Sequence, residues 1–104
     1  MKFRIDEWDG IRATFERMFH GLGTIKTSEN VLHFTSTEPN VPTGIRLSRK
    51  GKMAANMPLH NLDSTFECVS FDDSFEELTL IGDGFNYTYR IPNEILAKRR
   101  VLDQ

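Results

Sequence analysis

Four cations, Arg46, Arg49, Lys50 and Lys52, stand in the segment Val41 to Lys52, which holds no acidic residue. From Met53 to Tyr89 the pattern inverts, with seven Asp and Glu and no Lys or Arg. Charge is therefore segregated along a chain whose net charge is only −2. Local fields, more than net charge, steer partners to a surface, so the segregation points to binding chemistry. Read as a strand, Thr43 to Lys52 turns Ile45 and Leu47 inward and Arg46, Ser48 and Lys50 outward, with a turn at Gly51. Cations placed this way could hold phosphates through salt-sensitive contacts. The segment lacks the Gly-x-x-x-x-Gly-Lys-Ser/Thr pattern of a nucleotide loop. It also has no interleaved aromatic residue on which single-stranded bases would stack. The bland alternative is a solvated strand face whose cations guard an edge against aggregation.

The acidic run is Asp72-Asp73-Ser74-Phe75-Glu76-Glu77. Carboxylates this dense can hold a hard cation, but the Asp-x-Asp-x-Asp-Gly spacing of a calcium loop is absent, so no metal is expected. The plainer reading is a polar turn between two strands. The more consequential one pairs Asp72, Asp73, Glu76 and Glu77 with the basic segment, within one molecule or between two copies across a symmetric interface.

His20, His33 and His60 are scattered, with no shared helical ligand spacing, and zinc would want a second cysteine. His33 alternates with Leu32 and Phe34 and so faces away from them. Cys68 lies in Thr65–Phe71, a strand apolar enough on both sides to bury it as a small hydrophobe. A nucleophilic cysteine needs an electropositive, partly open site and a base, and no Lys or Arg is near it in sequence. Serine-hydrolase and dinucleotide patterns are missing too. Nothing in the sequence gives positive warrant for an enzyme or a cofactor.

The 104 residues read as one domain, 1–104, without internal repeats. At 38 % apolar and 27 % charged, the composition is that of an ordinary globular chain. The single cysteine rules out an intramolecular disulfide, which suits a reducing, cytoplasmic setting. The first residues lack the apolar run of a secretory signal. No stretch approaches the roughly 20 apolar residues of a membrane span. A pI near 5.9 argues against a general nucleic-acid binder but leaves room for a local basic patch.

The elements that must position these residues follow from periodicity. Trp8, Ile11, Phe15, Met18 and Leu22 share one helical face, which predicts an amphipathic helix from Asp6, as N-cap, to Leu22. Gly10 is a cost inside it, about 1 kcal/mol against Ala. From Thr24 the period becomes two. Strands are expected at Thr24–Ser28, Val31–Thr37, Gly44–Lys50, Lys52–Met57, Thr65–Phe71, Glu77–Ile81 and Phe85–Ile91. Asp83-Gly84 between the last two fits a type I′ hairpin turn. That turn pairs Gly82 with Phe85, Leu80 with Tyr87, Leu78 with Tyr89, Thr79 with Thr88 and Glu77 with Arg90. A closing helix is expected over Glu94–Leu102, with Asn93 as N-cap.

Segregated helices and strands predict an α+β fold. The N-terminal amphipathic helix packs on an antiparallel meander of about five to seven strands, and a short C-terminal helix closes the chain. The leading functional expectation is a non-catalytic interaction module that binds a protein partner, or itself as a homo-oligomer, through its basic and acidic surfaces. A second is a nucleic-acid accessory protein using segment 46–52 with Lys98, Arg99 and Arg100. A third is a ligand-binding or enzymatic half-barrel with a pocket between the helix and the sheet, floored by Phe85, Tyr87 or Tyr89.

Overall fold

The computed structural model describes residues 1–37, 42–57 and 60–99. Among these, the order is β1 (Lys2–Arg4), α1 (Trp8–Phe19), β2 (Thr24–Thr27), β3 (Val31–Thr35), β4 (Gly44–Ser48), β5 (Lys52–Met57), β6 (His60–Thr65), β7 (Cys68–Phe71), β8 (Glu77–Gly82), β9 (Phe85–Arg90) and α2 (Asn93–Leu96). The strands form a four-stranded sheet, β1-β7-β8-β9, and a five-stranded sheet, β2-β3-β4-β5-β6. Every neighbouring pair is antiparallel. The class is the expected α+β, with the N-terminal helix on antiparallel sheets and a short helix at the end. The strands are more numerous than periodicity suggested, and they divide into two sheets.

Two strands escaped the sequence reading. β1 has three residues, too few to show a period, and exists because β7 pairs with it. β6, His-Asn-Leu-Asp-Ser-Thr, is poor in β-formers and is held by its pairing with β5. The expected strand Thr65–Phe71 breaks at Phe66-Glu67, where β6 leaves one sheet and β7 enters the other. At this corner the Phe66 N–H donates to Gly51 O (2.7 Å), and the Glu67 N–H donates to Ile81 O (2.8 Å).

Helix α1 starts at Trp8, with Glu7 rather than Asp6 at the cap position and no side-chain cap bond. Glu7 Oε1 instead accepts the Arg4 N–H at 2.9 Å, tying β1 to the helix start. The predicted face is buried throughout: Trp8, Ile11, Phe15, Met18 and Leu22, joined by Phe19. Burying each such side chain contributes roughly 1.5–3 kcal/mol, an upper bound against an extended unfolded chain. Phe19 stacks on Phe34 of β3 with ring centroids 4.2 Å apart, and meets Tyr89 of β9 edge-on at 6.1 Å. One helix thus joins the cores of both sheets.

The β8–β9 register is the predicted one at all six pairs. The turn itself differs. Gly84 has φ +67°, but Asp83 is not among the residues with positive φ, so the turn is not type I′. The closing helix is Asn93–Leu96, capped at Pro92 rather than Asn93, and it buries Ile95. Arg100, Val101 and Leu102 lie outside the described residues.

Arg99 secures the chain end. Its Nη2 donates to Met18 O (2.7 Å) and Phe75 O (2.6 Å), and its Nη1 to Ser74 O (3.1 Å). A planar fork can reach three carbonyls on two elements, whereas a lysine ammonium cannot reproduce that geometry. Arg99→Ala is expected to destabilise the fold by about 1.5–3 kcal/mol, with Arg99→Lys recovering little. Urea unfolding measures this, and a loss within about 0.5 kcal/mol would contradict the latch.

Gly10 also acquires a reason. A Cβ there would sit 2.6 Å from Phe3 Cε1, so the glycine lets β1 lie against the helix. Helix propensity alone favours Gly10→Ala by about 1 kcal/mol. We expect the opposite sign, a destabilisation of about 1–3 kcal/mol from overpacking. In a Phe3→Leu background the same change should become neutral or favourable. A thermal melt in which Gly10→Ala alone raises Tm would refute this.

Candidate functional site

Alternation along β2, β3 and β4 places one side-chain set in the core and the other outside. Leu32, Phe34, Ile45 and Leu47 are buried. The intervening positions meet across the outer face in one row: Lys26 is paired with His33, His33 with Arg46, and Arg46 with Ala54. Neighbouring strands lie about 4.8 Å apart, so Lys26, His33 and Arg46 are side by side. Lys26, Arg46 and Lys52 are exposed, and His33 and Ser48 are half-buried.

The face carries two adjoining hollows that share Arg46. One, of about 300 Å³, is lined by Lys26, Thr27, Ser28, Val31, His33 and Arg46. The other, of about 240 Å³, is lined by Arg46, Ser48, Lys52, Met53 and Ala54. Among the described residues, neither has an acidic lining residue. Burial, then the Arg46 and Lys26 charges, pushes the His33 imidazolium below its ordinary pKa range. Its Nε2 lies 3.2 Å from Thr35 Oγ1 on the same strand.

Of the basic residues singled out in sequence, Arg46 and Lys52 lie on this face. Arg49 and Lys50 fall in the β4–β5 turn, not in the strand as expected. The turn packs beside the β2–β3 turn, where the Arg49 N–H donates to Asn30 O (2.8 Å) and Arg49 Nη1 to Glu29 O (3.5 Å). Gly51, at φ +87°, closes it. Lys26 was not picked out from sequence, and His33 was read as facing away from Leu32 and Phe34 but not as part of a basic row. Their signal was present, since each is out of phase with apolar neighbours, but the adjacency of β2, β3 and β4 was not legible.

The acidic residues lie on the other sheet. Asp72 Oδ1 accepts the N–H groups of Glu76 (2.8 Å) and Glu77 (3.0 Å), and its Oδ2 accepts the Ser74 hydroxyl (2.7 Å). Glu77 pairs with Arg90 at 2.6 Å and Glu76 approaches it at 3.9 Å. Asp73 is exposed in the turn. Among the described residues no ion pair joins these acids to Arg46, Arg49, Lys50 or Lys52. Lys98 Nζ reaches Leu22 O and Thr37 Oγ1, both at 3.4 Å, so Lys98 and Arg99 are engaged within the molecule.

Cys68 is half-buried rather than enclosed. Strand β1, unread in the sequence, sets Arg4 opposite it, and together with Lys2, Ile5, Asp6 and Glu67 they line an open hollow of about 640 Å³. His33 stands on the other sheet. Of the residues expected to floor a helix–sheet pocket, Tyr89 is fully buried with its hydroxyl 2.7 Å from Thr43 Oγ1, while Phe85 and Tyr87 are half-buried. Burial pushes the Tyr89 pKa up to about 12. Among the described residues no three His, Cys, Asp or Glu side chains are grouped to hold a metal ion, and no helix is long and apolar enough to cross a membrane.

Compared with known proteins, the chain matches no family model, no curated protein and no solved structure.

The Asp72 cap generates a pH dependence. Burial alone would raise this carboxyl, but the hydrogen bonds from Glu77, Ser74 and Glu76 outweigh it and hold the pKa below the ordinary 3.8. A depressed folded pKa contributes stability above the unfolded value, which is lost as pH falls through the folded one. Asp72→Asn should therefore lower Tm at neutral pH and flatten its decline below about pH 4. Parallel curves for wild type and Asp72→Asn would contradict the cap.

Proposed function

We propose that the protein is a non-catalytic, cytoplasmic interaction module that receives an acidic segment of another protein on the outer face of its five-stranded sheet. One observation carries this reading. Lys26, His33 and Arg46 stand in a row across three strands, with Lys52 beside them, and no ion pair among the described residues engages them. Like charges brought close together repel one another, a cost that an acidic partner offsets.

The distribution of the acids favours a different protein over a second copy. Asp72 is bonded into its own loop, and Glu76 and Glu77 face Arg90, so three of the four acids expected to meet a second copy are already engaged within the molecule. The nucleic-acid reading keeps segment 46–52 but has Lys98 and Arg99 committed elsewhere. Among the described residues, the hollows also lack an aromatic platform for bases.

Arg46→Glu should weaken binding of a fluorescein-labelled oligo-glutamate peptide by about tenfold or more at low salt, while Arg12→Glu on α1 leaves it unchanged. Added salt should weaken the wild-type complex. Fluorescence anisotropy reads both. Tighter binding of RNA or duplex DNA than of the peptide would transfer the face to nucleic acid, and a dimer in native mass spectrometry that Arg46→Glu dissolves would transfer it to self-association.

A further inference from the structure

The hollow between β2, β3 and β4 has features that an acidic side chain alone does not need. Its rim brings together Lys26, His33 and Arg46 from three consecutive strands and Ser28 from the β2–β3 turn. Ser28 Oγ accepts the N–H groups of Asn30 (3.3 Å) and Val31 (3.1 Å). Those two bonds use the oxygen as acceptor and leave its own hydrogen to donate to a ligand. Arg46 offers a planar fork, Lys26 a point charge and His33 a ring that gains a charge when an anion approaches. Among the described residues, no carboxylate lines the hollow to repel an anion, and no aromatic ring lines it to stack on a base.

A carboxylate carries one charge and two oxygens. Donors converging from three strands suit an anion with more of both. A phosphate monoester supplies about −1.5 to −2 charge and three strong acceptor oxygens near neutral pH. We propose that the hollow formed by Lys26, Ser28, His33 and Arg46 is a binding site for a phosphoryl group carried on a serine or threonine side chain of the partner. The inference rests on the proposed capture of an acidic partner segment and names its anchoring group. In it Arg46 binds two phosphoryl oxygens, Lys26 neutralises the remaining charge and the Ser28 hydroxyl donates to the third oxygen. His33 faces Lys26 from β2 and Arg46 from β4, with Thr35 Oγ1 on its own strand. A phosphoryl group counters those two charges and favours the protonated ring, so binding takes up a proton.

The test uses a labelled peptide holding one phosphoserine among glycines and alanines, its unphosphorylated form, and free inorganic phosphate as competitor. The phosphorylated peptide should bind about tenfold more tightly than the unphosphorylated one, and inorganic phosphate should displace it. Arg46→Gln should remove about tenfold of that affinity, while Lys50→Gln in the β4–β5 turn changes it less than about twofold. Lys26→Gln on an exposed strand position serves as a second variant should Arg46→Gln fold poorly. The His33 ring resonances, followed by NMR, should show an upward pKa shift on binding. Equal affinity for the two peptides, or failure of phosphate to compete, overturns the inference. If oligo-glutamate still binds in that case, the acidic-partner reading stands without the phosphoryl anchor; if neither binds, both fall. Stronger capture by phosphoinositide vesicles than by the phosphopeptide also overturns it, placing the same group on a lipid.

Discussion

Two residues, Phe66 and Glu67, connect the sheets, and the whole arrangement depends on how closely other backbone approaches them. The Phe66 N–H bonds to Gly51 O in one sheet, while Glu67 bonds to Ile81 O and receives the Ile5 N–H at 2.8 Å in the other. Both flanking approaches are made by glycine. A Cβ on Gly51 would lie 2.8 Å from Phe66 O, and one on Gly82 would lie 2.7 Å from Thr65 O. Such contacts exclude any side chain. The corner thus satisfies buried backbone groups that a strand leaving its sheet would otherwise orphan, and it seats the Phe66 ring, 3 % exposed, in the core.

The same corner fixes the functional face. Gly51 ends the β4–β5 turn, and that turn directs Lys52 onto the outer surface beside Arg46 while Met53 goes inward. Because side chains alternate with a period of two, moving the turn by one residue would exchange the cationic and apolar sets. Burial of Ile45 and Leu47 in the core, opposite Phe34 and Leu32 of β3, thereby determines where Arg46 points.

The opposite sheet treats its charge differently. The β7–β8 loop contains Phe75 at φ +56°, a left-handed conformation that bulky residues rarely adopt. It is held by the Asp72 carboxylate beneath the turn and by Arg99 on the Ser74 and Phe75 carbonyls, with the Arg17 guanidinium 4.8 Å from the Phe75 ring centre. The acidic run therefore serves the fold, organising a strained loop and pairing across β8 and β9. Among the described residues, no ion pair ties the basic row into the fold in this way. Segregated charge in the sequence resolves into one cluster that stabilises the fold and one that faces outward.

Local rules were enough for the features whose partners lie close in sequence. The 3.6-residue period of Trp8, Ile11, Phe15 and Met18 determined the buried helix face, and Asp83-Gly84 determined all six pairs of β8 and β9, even though the turn adopted another geometry. Arg46 could be read as outward for the same reason. Contacts between distant segments were decided only in three dimensions. No pattern in Lys2-Phe3-Arg4 foretells its place beside β7, nor the use of Gly10 to admit Phe3. Thr65–Phe71 reads as one strand because its break depends on Gly51 and Ile81 elsewhere in the chain. Lys26, His33 and Arg46 are spread over twenty residues of sequence, and strand order alone makes them neighbours. A sequence encodes which face of an element is apolar, whereas which elements adjoin depends on the summed packing of the core.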